Sequence, residues 1–295
     1  MSGLSYALVT PARNEENNLK RLARCLAAQT APPERWLIVD NGSTDATVAV
    51  AWELERTLPW VSVHEVPGTE ALIRGAPVAR AFQAGLDALG ARYDVVVKLD
   101  ADVSMERDYF ERLLAAFEAD PALGITSGSA FEEGHDGVWR QQYGTAGSVW
   151  GASRAYRWEC LEAVLPLDEH MGWDGIDRLK ANMRGWRTGT LLSLPFQHHR
   201  KEGERDGARR KAWAAQGDCA HYMGYRLWYL VLRALHNARR EPAALAMIAG
   251  HVNAAVRRKP RCPDPAVRSY LRSEQRLGSL LQRRREALGK TVGFT

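Results

Sequence analysis

Apolar positions follow two alternating rhythms along the first two-thirds of this chain. Short runs rich in β-branched and aromatic residues, at 4–9, 36–39, 60–65 and 93–99, read as strands, most of them buried on both faces. Between them the apolar spacing becomes helical. Leu19, Leu22 and Leu26 mark a helix from about Glu15 that stops before Pro32-Pro33. A second helix is expected from Ser43-Thr44-Asp45, three good N-cap residues, and a third over 74–89. Residues 10–14 are expected as turn. The βαβαβαβ order predicts an α/β fold with a mostly parallel central sheet and helices on both faces. A further strand-like run covers 190–196. After Gly207 only helical patterns remain, over about 209–237, 242–258 and 265–288.

Composition sharpens this division. The chain has 295 residues with 45% apolar and 8% aromatic content, enough for a large core. Residues 1–199 hold 19 Lys+Arg against 27 Asp+Glu, a net of −8, whereas residues 200–295 hold 21 against 8, a net of +13. That step predicts two parts with different tasks, 1–203 as a catalytic domain and 204–295 as a basic helical extension. No apolar run is long enough to predict a transmembrane helix. Met1-Ser2-Gly3-Leu4-Ser5 lacks the basic start of a secretory signal. Four scattered cysteines without a CxxC pair fit reduced cytosolic thiols.

Chemistry concentrates where strands end. The run Val95-Val96-Val97-Lys98-Leu99 leads into Asp100-Ala101-Asp102, at the edge of the sheet where ligands bind in open α/β folds. Two carboxylates so close repel unless a cation lies between them, and a divalent metal bridging a diphosphate would remove the conflict. Asp40 ends the neighbouring strand run and can accept hydrogen bonds from a base or a ribose. Arg13 and Arg80 can supply positive charge or stack on a base. There is no GxxxxGK[ST] and no glycine-rich turn after the first strand, which excludes a P-loop and an ordinary dinucleotide fold.

VTPARNEENNL, IVDNGSTDAT and KLDAD, in this order and spacing, resemble the family 2 inverting glycosyltransferases of the GT-A fold. The resemblance implies a nucleotide-diphosphate sugar donor (UDP, dTDP or GDP type) and a Mn or Mg ion. It implies that Pro11, Arg13 and Glu15 surround the base, that Asp40 contacts base or ribose, and that Arg80 lies near the nucleotide. Asp100 would contact ribose or metal, and Asp102 would ligate the metal. Arg13 stands where many members carry an aromatic residue. Residues 148–157 resemble the strand and loop beneath the donor sugar, where Gly151 would let backbone approach the ligand. Gly172-Trp173-Asp174-Gly175-Ile176-Asp177, followed by Gly185-Trp186-Arg187, resembles the family's Glu-Asp-x-Asp region. Asp174 then takes the place of the catalytic aspartate, a general base toward the acceptor hydroxyl, with Asp177 as fallback and Trp173 in place of the usual acid. Gln197-His198-His199-Arg200 resembles the site of a late metal-binding histidine, with His199 the first candidate and His198 the second.

The basic part adds a partner. Tyr222, Tyr225, Trp228 and Tyr229 mix with leucines beside Arg226 and Arg233, a composition that suits a membrane interface, a helical core or a dimer contact. Arg257-Arg258-Lys259 and Arg283-Arg284-Arg285 are its densest charge. The expectation is a cytoplasmic enzyme, peripheral on an anionic membrane face, using a glycan or lipid-linked acceptor in cell-envelope or exopolysaccharide synthesis. Two alternatives compete. A nucleic-acid-binding protein explains the basic part but not the acidic motifs, so no nucleic acid is expected. A nucleotidyltransferase should carry a glycine-rich N-terminal signature, and residues 4–14 contain no glycine. A QxxRW motif is also missing, which favours one sugar per encounter.

Overall fold

The computed structural model describes residues 3–68, 75–134, 136–142, 148–199, 209–239, 241–276 and 278. They form two compact units divided after His199. The boundary expected at 203/204 and the Arg283–Arg285 cluster lie outside the described residues.

The first unit is an α/β fold. Strands β1 (Tyr6–Ala12), β2 (Arg35–Asn41), β3 (Val61–Val66) and β4 (Val95–Leu99) alternate with helices α1 (Glu16–Ala27), α2 (Thr47–Thr57) and α3 (Ala76–Ala88). Then come β5 (Val103–Met105), α4 (Tyr109–Ala119), β6 (Leu123–Glu133), β7 (Trp139–Gln141), β8 (Ser153–Arg157), α5 (Trp158–Val164), α6 (Trp173–Met183) and β9 (Arg187–His198). The sheet runs β3-β2-β1-β4-β8-β6-β9-β5, with β7 attached to β6. Strands β3, β2, β1 and β4 are mutually parallel, β8 is antiparallel to β4 and β6, and β6 and β9 are parallel.

Period-two alternation explains the two cores. Leu8, Trp36, Ile38, Val95 and Val97 face α1 and α4, where Tyr6 stacks on Phe110 at 5.2 Å. Val9, Leu37, Val39 and Val96 face α3, α5 and α6. Because both faces are covered, the central strands are mostly apolar, with buried Thr10, Asp40 and Lys98 among the exceptions.

Some expectations shift. Residues 10–12 are strand rather than turn: Pro11 pairs with Val39 and Ala12 with Asp40, and Thr10 Oγ1 accepts a 2.9 Å bond from Trp36 Nε1. The chain therefore reaches Arg13 and Asp40 at one level of the sheet. Helix α2 starts at Thr47, two residues after Asp45, whose carboxylate accepts a 2.9 Å bond from the Thr47 amide. Part of the third predicted helix, at 74, lies outside the described residues.

The second unit is helical: α7 (Arg209–Met223), α8 (Leu227–Ala238), a 3₁₀ turn (Pro242–Leu245), α9 (Ala246–Val256) and α10 (Pro265–Glu274). The single helix expected over 209–237 breaks at Gly224, whose φ of 82° reverses the backbone as a helix C-terminus requires. Helices α7 and α9 cross at small residues. A Cβ on Gly217 would lie 1.9 Å from the Met247 carbonyl oxygen, and one on Gly250 would lie 1.9 Å from that of Ala214. No helix among the described residues is long and apolar enough to cross a membrane.

Candidate active site

Asp100 and Asp102 leave the end of β4, and Asp102 immediately precedes β5. Strand β9 runs between β5 and β6, and its last residue, His198, sits opposite Val103 on one side and Glu132 on the other. This register brings ligand atoms of Asp100, Asp102 and His198 within 4.8 Å of one another. Two chain segments separated by about a hundred residues thus meet at one sheet edge.

The histidine favoured from the sequence is not the one in this cluster. Side chains alternate along β9, so His199 turns away from the carboxylates. Its ring meets Ser104 Oγ at 2.7 Å and lies edge-on to Trp139 at 5.4 Å, while its amide donates a 2.8 Å bond to the Asp102 carbonyl. His198 Nε2 lies 3.5 Å from Asp102 Oδ1 and its Nδ1 lies 3.2 Å from Glu132 Oε1.

The electrostatics are those of a site short of positive charge. Burial, reinforced by repulsion from Asp102, raises the Asp100 carboxyl above its ordinary value against the pull of Lys98. Burial alone would lower the His198 imidazole, but hydrogen bonds to Asp102 and Glu132 outweigh it and push it up to about 10. Lys98 is 3% exposed, and its Nζ binds both Asp100 Oδ1 and, at 2.9 Å, the Gly151 carbonyl.

Gly151 links the acidic pair to Asp174. A Cβ built on Gly151 would stand 3.4 Å from Asp174 Oδ2, so this carboxylate faces the Gly151 backbone. The Asp100 amide donates to the next carbonyl, Ala152, at 2.8 Å. Asp174 lies in the first turn of α6, held by Arg154, which donates 2.7 Å to its main-chain carbonyl. Arg154 is fully buried and also grips both carboxylate oxygens of Asp177, which receives the Tyr156 hydroxyl as well. Asp177, the fallback base, is 1% exposed and saturated by these donors. Its contacts make it an anchor for α6.

On the other side of the sheet edge, the loops after β1 and β2 clasp each other. Asn14, with φ of 57°, receives the Thr44 amide on its side chain at 2.8 Å and donates its own amide to Ser43 Oγ at 3.0 Å. The amide of buried Glu15 donates to Thr47 Oγ1 at 2.7 Å. Asp40 is 3% exposed; its Oδ2 accepts from the Gly42 and Ser43 amides at 3.0 and 3.1 Å, while its buried Oδ1 has no partner among the described residues. Pro11 lies at the end of β1 and Arg13 is exposed just beyond. Arg80 is not drawn to the acidic pair. It projects from α3 and its guanidinium pairs with Glu169.

The family model for glycosyl transferase family 2 matches residues 7–168. The chain belongs to glycosyl transferase family 2. Among curated proteins, a beta-monoglucosyldiacylglycerol synthase of Synechocystis sp. is 26% identical over 249 residues, covering 75% of this chain and 49% of that protein. A polyprenol monophosphomannose synthase of Mycolicibacterium smegmatis is 36% identical over 121 residues, 41% of this chain and 43% of that protein. The chain therefore spans about half the length of these relatives. Among solved structures, a mannosyltransferase of Pyrobaculum calidifontis in complex with GDP-Man and Mn2+ superposes with a TM-score of 0.57 at 16% identity, over 96% of this chain and 84% of that one. This likeness supports the GT-A fold.

Within this family 2 chain, three residues of the site had no assigned part in the sequence reading. Lys98 was visible as the one charge inside a strand of valines, a position that demands a buried partner. Glu132 carried no such signal, because its strand partner could not be known. Arg154 lay within the 148–157 run, but its tie to Asp177 depends on how α6 docks.

Proposed function

We propose that this chain transfers a sugar from a nucleotide-diphosphate donor to a hydroxyl acceptor, with inversion at the anomeric carbon and with a divalent cation. The observation that carries the reading is the convergence of Asp100, Asp102 and His198 at one sheet edge, joined through Lys98 and Gly151 to the carboxylate of Asp174. The donor set fits a cation: two carboxylates and an imidazole, in surroundings that otherwise draw a proton onto His198. One nitrogen ligand among oxygens suits Mn better than Mg. When bound, the cation supplies neutralising charge for the leaving diphosphate.

The remaining roles belong to the chain's own groups. Asp102 and His198 hold the cation, and Asp100 joins them or takes the ribose. Glu132 accepts from His198 Nδ1–H and so presents Nε2 to the cation. The free Oδ1 of Asp40, buried and lacking a donor, is suited to a base N–H or a ribose hydroxyl. Pro11, Arg13 and Glu15 are assigned to the base beside Asp40, with Arg13 offering its guanidinium to it. Asp174 accepts the proton from the acceptor hydroxyl as that oxygen attacks the anomeric carbon, and one displacement inverts the centre. Gly151 keeps the approach beside Asp174 clear of a side chain.

The acceptor is proposed to be lipid-borne, because the two relatives carry names that include diacylglycerol and polyprenol. Catalysis is assigned to residues 1–203, and the basic part from 204 to 295 to holding the enzyme at the cytosolic membrane face where such an acceptor lies. A thermal-shift panel of UDP-, dTDP- and GDP-sugars with Mn, Mg or EDTA tests the donor. Stabilisation by one donor class that EDTA abolishes is expected. A response to nucleoside triphosphates with release of pyrophosphate, and none to any nucleotide sugar, would overturn it.

A further inference from the structure

Helix α8 has apolar residues on the side that faces away from its own core. Leu230 and Ala234 are buried against Ala220 and Met247 of the second unit. On the opposite side of the helix, Leu232 and Leu235 are 47% and 52% exposed, with half-buried Trp228 between them in helical projection. Leu227, at the first turn, is 50% exposed. A water-facing helix ordinarily carries polar residues on that side, and a helix apolar all round calls for something to cover it. Single exposed leucines are unremarkable, but Leu232 and Leu235 flanking Trp228 form a patch on the outer face, whereas Leu227 shares the side of Leu230 at the helix start.

Charge identifies the cover. Arg226 and Arg233 stand two turns apart on one flank, and Arg239 closes the C-terminal end. From Cys219 to Arg240 the chain contains no Asp or Glu. Aromatic rings line the same flank: Tyr225 and Tyr229 lie 6.0 Å apart, Trp228 meets Tyr229 at 5.8 Å, and the Arg233 guanidinium sits over Tyr225. Leucines that need covering, aromatic residues at the edge and arginines beyond them match the depth profile of a lipid interface: acyl chains, glycerol level, anionic headgroups. A second copy of the chain fits poorly. A two-fold contact sets the same patch against itself, and this one would bring arginines together with no carboxylate of α8 to separate them. The pairing recurs on α9, where Val252 and Val256 are 44% and 77% exposed just before Arg257-Arg258-Lys259.

We infer that the outer face of α8 is a membrane-docking surface for anionic phospholipid, with Leu232, Leu235 and Trp228 entering the acyl boundary and Arg226, Arg233 and Arg239 meeting headgroup phosphates. This deepens the peripheral-membrane reading above and does not depend on the transfer chemistry, since binding is read without any donor.

The test is flotation of the full-length protein with vesicles of phosphatidylcholine alone or with an equal share of phosphatidylglycerol, at low and high salt. Binding is expected to the anionic vesicles only, weakening as salt rises. The double variant Leu232→Glu/Leu235→Glu should bind at least about tenfold more weakly, since it loses both buried side chains. Arg239→Glu, at an exposed position, should weaken binding to anionic vesicles in the same direction. Melting temperatures equal to the unaltered protein's show that these variants fold. Undiminished binding by the double variant overturns the proposal. So does a dimer, seen by light scattering in lipid-free buffer, that the same double variant dissolves, because the face would then belong to a second copy.

Discussion

At the scale of single residues, Asp174 and Glu132 make different demands. Asp174 faces the backbone of Gly151 and, as the proposed general base, would act only when an acceptor hydroxyl attacks. Asp174→Asn should cut transfer by roughly 100- to 10,000-fold, measured as product formation, with Mn and nucleotide binding kept. Loss of nucleotide binding instead would move Asp174 to the donor side. Glu132 Oε1 lies 3.2 Å from His198 Nδ1, so its removal should show in metal binding. Glu132→Ala is expected to weaken Mn affinity by about 10- to 100-fold in electron paramagnetic resonance titrations, and Glu132→Gln, which still accepts from Nδ1–H, by less. Equal Mn affinity in all three proteins would refute the orienting role. His198 also gives a pH signature. With its imidazole raised from 6.5 to about 10, the protonated ring stabilises metal-free protein fully below pH 6.5, and that contribution disappears as pH rises toward 10. In EDTA the melting temperature should fall across this window, and His198→Gln should flatten the fall. These residues also mark how far the sequence could be read. Asp100 and Asp102 stood out as a close carboxylate pair at a strand end, and Asp174 by its place in the run that resembles the family's Glu-Asp-x-Asp region. The sequence favoured His199 where the cluster holds His198, because one step along the chain at the end of β9 reverses a side chain and the register with β5 and β6 is not written locally.

Elements divide the same way. Strands β1, β2 and β4 were legible because both faces are buried and their apolar runs are nearly continuous. Helix α4 and strand β6 were not anticipated, although α4 supplies Tyr109, Phe110 and Phe117 to the core. Strand β6 reads Leu-Gly-Ile-Thr-Ser-Gly-Ser-Ala, small and hydroxylated residues whose strand character depends on packing beside β8 and β9. The seating of α6 depends on Arg154 and Asp177, each with at most 1% exposure. Asp177→Ala would leave a buried guanidinium without its carboxylate and should destabilise the fold by about 3–5 kcal/mol in chemical denaturation. A smaller loss, under about 1 kcal/mol, would mean the pair is not the anchor described here. In the second unit the α7–α9 crossing rests on two glycines, and Gly217→Val should prevent it from forming because the Met247 carbonyl occupies the required space. Circular dichroism would then report lost helix, and unchanged ellipticity would count against so close a crossing.

For the whole molecule, the family match covers residues 7–168, yet Asp174 and His198 both come later in the chain. The matched stretch holds the acidic pair and the residues proposed for the nucleotide, while the proposed base and the imidazole arrive with α6 and β9. A protein ending near residue 168 should consequently lose Mn binding as well as turnover, measurable by the same titration. Lys98 carries a different implication for the full-length enzyme. A built-in ammonium against Asp100 leaves the acidic cluster less negative than its carboxylates alone would make it. Under the proposed function it would temper the attraction for a cation and leave the ion exchangeable. Lys98→Met should then bind Mn more tightly in the same titration, and unchanged affinity would count against this effect.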